Sequence, residues 1–524
     1  MKKKSTPESA NYKIRVLLGS FFFFPGVCLT LFAASGPQRD APRGGVQESW
    51  VARYNGPGNY TDDPIAIAVD GSGNVYVTGE SSGQGGPIGY ATIKYNSAGV
   101  EQWVVRYNGP GNGNDRANAI AVDASGNVYV TGESLGQGTG IDYATIKYNS
   151  AGQQQWVARY NGPASLDDYA TAISIDGSGN VYVTGTSSID AGSNSDYLTV
   201  KYNSAGQEQW VARYNGPGNA LDLAYAISVD SSGNVYVTGE SYGLNSASDY
   251  ATIKYSSTGQ EQWVARYNGP ANYNDAARAI ALDSSANVYV TGYSFGVGDV
   301  GNDYATIKYN PTGQQQWIAR YNGPASLDDY ATAIAVDSSG NVYVTGGSDE
   351  VNYASDYATI KYDSAGQQQW VAQYNGPANS VDFAEAIAVD NLGSVYVTGA
   401  SAGQGTRSDF ATVTYNSTGE EQWVVRYDGP GNGDDHANAI AVDASGNVFV
   451  TGQSFDPNNG DDYVTIKYVQ GATPTPTVTP RPFPTPRSRP TPPRRPPPSK
   501  RQYDPNERFQ SDWYRYYRKL FASG

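Results

Sequence analysis

The chain has 524 residues and a formal charge of −15, with 61 glycines, 43 tyrosines and a single cysteine, methionine and histidine each. One cysteine excludes a disulfide framework and a Cys-based zinc site, and one histidine excludes a multi-His metal centre. Residues 1–35 carry five basic and one acidic side chain and residues 470–524 eleven basic and three acidic, leaving −27 on the middle, where a nucleic-acid ligand is excluded for want of a basic footprint.

Lys2, Lys3, Lys4, Lys13 and Arg15 precede an apolar run, 16–34, centred on Phe21 to Phe24. A basic n-region before an apolar h-region reads as an export signal. Residues 1–35 are therefore expected to be a signal peptide, with Ala33, Ala34 and Ser35 offering a cleavage site, or an N-terminal anchor. Cys28 follows Pro25-Gly26-Val27, a poor lipobox, so lipidation is not expected. Residues 36–46 form a Gly/Pro/Arg linker.

From residue 47 the chain repeats. Trp50, Trp103, Trp156, Trp210, Trp263, Trp317, Trp370 and Trp423 recur every 53 or 54 residues, with the same four short apolar runs between them. In the second unit these are 119–122, 127–132, 143–148 and 156–160. Each is too short for a helix and rich in Val, Ile, Thr and Tyr, which predicts four strands per unit. The links 123–127 and 149–152 contain glycine and read as tight hairpin turns, whereas 133–142 and 161–171 are long. In an antiparallel sheet the links alternate ends, so both tight turns fall on one face and both long ones on the other.

Four-stranded units at this period, with no helix between them, predict an all-β fold, a β-propeller. A parallel β-helix is the rival, but its coils are shorter and lack paired hairpin turns. Eight inner strands are expected, ending at Asp70, Asp123, Asp176, Asp230, Asp283, Asp337, Asp390 and Asp443. The last unit stops at Tyr468 without a Trp strand, while an orphan Trp strand, 48–54, begins the repeats. That strand can complete the eighth blade and close the ring, removing open sheet edges.

The motifs GNVYVTGxS, DYATIKYNxxG and QWVxRYNGP resemble the SBBP-type β-propeller repeats of secreted bacterial proteins, and GNVYV more loosely resembles NHL-type blades. The resemblance covers 47–468 and implies a rigid extracellular scaffold, in a family whose members mostly lack a defined activity. The family's name implies seven blades, where eight are counted here.

Residues 469–505 turn abruptly to Pro, Thr and Arg, a composition that predicts a disordered, semi-rigid polyproline linker. In 506–524, Phe509, Trp513, Tyr516 and Leu520 fall at helical spacing among Arg508, Arg515, Arg518 and Lys519, giving a short amphipathic tail suited to an anionic envelope surface.

Residues present in every copy are read first as parts of the blade. Two aspartate sets fall on the long-link face. One runs from Asp62 and Asp115 to Asp435, and the other from Asp142 to Asp462, with Gly89 breaking it in the first unit. The repeated Lys and Arg, such as Lys94 and Arg106, are expected to pair with acidic neighbours between blades or to cover the rim. A hard cation would suit the loop 456–462, and calcium bound by Asp456, Asn458 and Asp462 is the metal expectation. The lone His436 stands where other units have Arg116, Tyr169 or Tyr330 and carries no catalytic expectation.

Ligand binding is expected where copies differ, in the loops that bring Tyr242, Phe295, Tyr353, Arg407 and Phe455 to the long-link face. These residue types anchor proteins and glycans. The expected function is a monomeric, non-catalytic scaffold, secreted or on a bacterial cell surface, binding an extracellular protein or glycan without a cofactor other than calcium. An enzyme acting on an extracellular polymer through paired loop carboxylates, and a purely structural surface protein, are the alternatives.

Overall fold

The computed structural model describes residues 45–190, 194–244, 246–296, 301–351 and 354–470. The expected signal or anchor, nearly all of the linker, the Pro-rich segment and the amphipathic tail lie outside them, as does Tyr353. The described residues form thirty-two strands in eight four-stranded antiparallel sheets, each a blade. Blade 1 runs from its inner strand Asp62–Val69 through Val75–Ser82 and Ile88–Tyr95 to its outer strand Glu101–Tyr107. Six blades repeat that order. In blade 8 the strands Asp435–Val442, Val448–Asp456 and Gly460–Gln470 are completed by Val46–Tyr54 from the start of the propeller. Trp50 stands opposite Lys467 there, as Trp103 stands opposite Lys94 in blade 1, so the closing strand keeps the register of an ordinary outer strand.

Strands reach further toward the long-link face than the apolar runs suggest; the second blade's inner strand is Asp115–Val122 and its second strand Val128–Leu135. Their polar ends pair through backbone bonds that hydropathy does not register.

The period of two along each strand builds the core. In blade 2, Ala117, Val128, Val130, Ala144, Ile146 and Tyr148 pack against Tyr76, Tyr90, Trp103 and Tyr107 of blade 1. Eight such clusters lie between neighbouring blades, including one across the closure that joins Phe449, Tyr463 and Trp50 to Val75, Val77 and Tyr95. Small and β-branched side chains on one face thus meet aromatic ones on the next.

Two glycine positions permit this geometry. Gly132 and its counterparts lie so close to the inner strand that a Cβ would meet the Arg116 carbonyl oxygen at 1.9 Å. Gly152 has φ 79° and sits beneath the Trp103 ring, where a Cβ would approach within 2.8 Å, while the Trp103 indole N–H donates to the Ser150 carbonyl (3.2 Å). Each outer-strand Trp from Trp50 to Trp370 reaches the following blade's turn in this way, so Trp50 links blade 8 to blade 1. Trp423 faces blade 8, whose third and fourth strands come from opposite ends of the propeller and share no turn.

The lysines follow the same logic, and differently from expectation. Lys94 lies over the Tyr76 ring (5.1 Å to its centroid) and donates to the Ser150 carbonyl of the next blade (3.1 Å). Its partners are an aromatic face and a carbonyl, not a carboxylate. Thr414 replaces lysine in blade 7, the one blade whose neighbour lacks that turn.

Candidate binding face

The long-link face is built on the two aspartate sets. Asp115, fully buried at the start of its inner strand, accepts from the Gly109 N–H of the incoming link (2.7 Å) and the Leu135 N–H at the end of the second strand (3.0 Å). It therefore ties three segments together. Asp142, on the third strand, pairs with Arg159 of the outer strand (2.8 Å), which also donates to Ser134 and to the Tyr107 hydroxyl of the preceding blade. Six blades keep this Arg–Asp pair, at 2.7–3.6 Å.

The two sets meet at blade junctions. Burial and the third-strand carboxylate of the preceding blade raise Asp275 to about 6 and Asp329 to about 7, and burial with the charges of Asp428 and then Asp409 raises Asp435 to about 7. Blade 6 departs from the pattern, because Gln373 stands where the others have arginine. Among the described residues Asp356 there keeps no cation, and burial with the nearby Asp382 and Glu350 lifts it to about 7.

Inside this belt the inner strands lie side by side around the ring. Each carries a bulge near its long-link end, at the residue between Ala117 and Ala119 in blade 2. Where the bulged residue is small and polar it bridges blades: Asn118, Thr171, Thr332 and Asn438 donate to the next blade's Ala170, Ala224, Ala384 and Pro64 carbonyls at 2.8–2.9 Å. In blades 4, 5 and 7 the same position holds Tyr225, Arg278 and Glu385.

These variable residues gather into two groups. Around blades 1 and 2, the Arg116 guanidinium bonds Glu80 and lies 4.0 Å from Glu133, beside the buried Asp63, which accepts from Asn438 (3.1 Å). Burial, against the attraction of Arg116, lifts Glu133 to about 6, and burial with the Glu80 charge raises Asp63 well above the carboxylate range. Around blades 4 to 6, Arg278 stacks on Tyr225 (4.3 Å) and Tyr293 (5.3 Å), Tyr225 donates to Glu240 (2.6 Å), and Tyr293 meets Tyr330 edge-on at 5.2 Å. His436, at the blade 8 end, is kept neutral by burial against the opposing pull of Asp434.

The long links also expose Tyr60, Leu244, Tyr273, Val351 and Val381, five of the eight large apolar side chains that face solvent among the described residues. Scattered apolar residues are ordinary, but a majority on one face singles that face out.

Of the sequence-predicted residues that the structure describes, Phe455, Asp456, Asn458 and Asp462 share one hairpin of blade 8, while Tyr242, Phe295 and Arg407 belong to other blades. Tyr242 is half-buried, its carbonyl accepting from Gly218 (3.0 Å). Phe295 stacks on Tyr273 (5.0 Å), Phe455 lies against Gly431 and Gly433, and the exposed Arg407 pairs with Asp434 (3.0 Å). Asp456 accepts from the Asn458 backbone and side-chain N–H groups (2.8 and 3.1 Å), and Asp462 accepts from Arg53 (3.1 Å). The inner-strand groups around Arg116 and Arg278 were missed. Their only sequence signal is non-repetition at positions flanked by repeated ones, which His436, Arg116 and Tyr169 already display.

The family model described as "Beta-propeller repeat", SBBP, matches residues 50–87, 102–138, 155–190, 209–245, 316–353 and 369–404. An uncharacterised WD repeat-containing protein, L264, of Acanthamoeba polyphaga mimivirus is 25% identical over 454 residues. The match takes in 68% of this chain but spans only 31% of that relative's length. Among solved structures, the β-propeller domain of the trilobed protease from Pyrococcus furiosus overlaps with a TM-score of 0.39 at 10% identity, covering 69% of this chain and 99% of that one. A eukaryotic initiation factor structure also gives 0.39, at 9% identity over 69% of this chain and 77% of its own.

Proposed function

Because six SBBP β-propeller repeats are matched here and the described residues close into eight blades, we propose that the chain is a binding scaffold that works without catalysis, exported by its N-terminal segment to the cell surface or beyond. The ligand lies across the long-link face, over the mouth of the ring of inner strands. One observation carries this reading: the side chains that differ between otherwise repeated blades collect there, with Arg116, Glu133, Tyr225, Glu240, Arg278 and Glu385 within the ring and Tyr60 and Tyr273 on its rim. A scaffold needs identical blades, and recognition needs them to differ.

The chemistry favours a protein segment that combines cationic and apolar side chains. The body is acidic, the inner group is rich in carboxylates, and the exposed rim residues are apolar. A glycan is the other occupant to test. Immobilised propeller is screened against basic amphipathic peptides and a glycan array. A peptide hit weakened at least tenfold by Tyr60→Ala with Tyr273→Ala, at unchanged melting temperature, supports the reading. Glycan hits alone replace the ligand class, and binding that survives both substitutions moves the site elsewhere.

An enzyme is favoured by one group. Glu385 lies on the bulge of blade 7 and burial alone lifts it to about 7, the range of a general acid. Product release from an extracellular polymer that is abolished by Glu385→Gln would establish that alternative.

A further inference from the structure

The junction between blades 7 and 8 differs from every other. In the motif YNGP that follows each outer strand, seven copies carry asparagine, at 55, 108, 161, 215, 268, 322 and 375, and the copy at 428 carries aspartate. The asparagines are exposed or half-buried, and Asn55, Asn161 and Asn215 donate to the side chain four residues on, at 2.7–3.2 Å. Asp428 has no such donor. It is 3% exposed, and neither carboxylate oxygen has a hydrogen-bond partner among the described residues.

Those oxygens face two other carboxylates. Asp409 is the third-strand member of blade 7, Asp435 begins the inner strand of blade 8, and one oxygen from each of the three lies within 4.8 Å of the others. Asp409 already pairs with Arg426 (2.8 Å), and Asp435 accepts from the Gly429 and Phe455 N–H groups (2.7 and 3.1 Å). The seven other junctions hold at most two of these carboxylates, because the position of Asp428 is an amide there. Here three carboxylates meet one guanidinium, and the surplus of two negative charges is buried.

We propose that Asp409, Asp428 and Asp435 bind one divalent cation of the calcium class, which neutralises that surplus and clamps blade 7 to blade 8. The ligand set is all oxygen, without sulfur or imidazole, which selects a hard cation. Calcium–oxygen bonds of roughly 2.3–2.6 Å place two ligands of one ion up to about 5 Å apart, which accommodates oxygens that all lie within 4.8 Å of one another. The clamp also falls at the one junction where the outer-strand Trp has no following turn to hold and Thr414 stands in place of the third-strand lysine. The cation site stands apart from the ligand reading above, since it needs no occupant on the long-link face.

The rival to a cation is a proton. Burial raises Asp428 to about 6 and Asp435 to about 7, so the pair can be relieved by protonation instead. Calorimetric titration of CaCl2 into the chelator-treated full chain at pH 7.5 separates the two. One site per chain is expected in the wild type, with a melting temperature that rises with calcium. Asp428→Asn, which restores the residue that seven junctions fold with, should lose both, whereas Asp456→Asn in the neighbouring loop should keep them. No heat and no shift in the wild type, or binding that survives Asp428→Asn, would overturn the proposal. A wild type blind to calcium whose Asp428→Asn variant melts higher at pH 7.5 would assign the surplus to a shared proton.

Discussion

Restoring arginine in blade 6, by Gln373→Arg, should stabilise the propeller by an amount that depends on pH. Six blades place an arginine within 2.7–3.6 Å of the third-strand aspartate, so the space for it is a property of the blade. In blade 6 the Gln373 amide donates to the Glu350 carboxylate, at 3.4 Å, and Asp356 is left 5% exposed without a cation among the described residues. Burial holds it at about 7, against roughly 4 in an unfolded chain, so keeping it ionised in the fold costs about 4 kcal/mol at most. The sign follows from the raised value. Above pH 7 Asp356 is ionised in both states and the fold bears the whole cost. As the pH falls the folded state takes up the proton first, and the cost fades toward pH 4. Recovering half of it at pH 8, about 2 kcal/mol, raises the melting temperature of a ring this size by about 2 °C. Calorimetry of both proteins at pH 8 and pH 5 is the assay. A gain of equal size at both values, or no gain at pH 8, would refute the reasoning.

Four further outcomes are expected. Ala286 occupies the left-handed region (φ 59°) in a turn where the other blades have glycine; Ala286→Gly should raise stability by about 1 kcal/mol, read by chemical denaturation. Arg116→Ala strips the buried Glu80 and Asp63 of their cation and should cost about 3–5 kcal/mol in the same assay, least at low pH where the acids protonate. Trp50→Ala removes the ring that covers Gly99 across the closure; a loss of about 3–5 kcal/mol is expected, with proteolysis beginning in the strand 46–54. Arg278→Ala unstacks Tyr225 and Tyr293, and should weaken ligand binding more than it lowers the melting temperature.

The blades were legible because their signals are redundant. Trp at a fixed period, β-branched runs of strand length and glycine-bearing turns all point to the same four strands, and the orphan Trp strand implied the closure that the structure shows. The belt of carboxylates was visible as two sets, but not their meeting at the junctions, because they join third strand to next inner strand and that distance is not written along the chain. Of the two expectations for lysine, pairing with a carboxylate is not what Lys94 does, since its position puts it over Tyr76 and a carbonyl. The inner group around Arg278 was hardest to see. Each member is a single departure in one copy, and only the bulge and the curvature of the ring bring departures from several copies to one place.

The split eighth blade separates the unit of sequence from the unit of structure. A repeat that begins at one Trp ends just before the next, whereas a blade begins at an inner strand and ends on a Trp, so the two are out of phase by one strand. Segments such as 159–185 and 320–346, nearly identical and three units apart, are substrates for unequal recombination. Gain or loss of the three units between such sites would leave the first strand and the last hairpin untouched, still able to find each other. The ring can therefore change its circumference by whole blades while its fastening stays the same, and a different blade count needs no new way of closing.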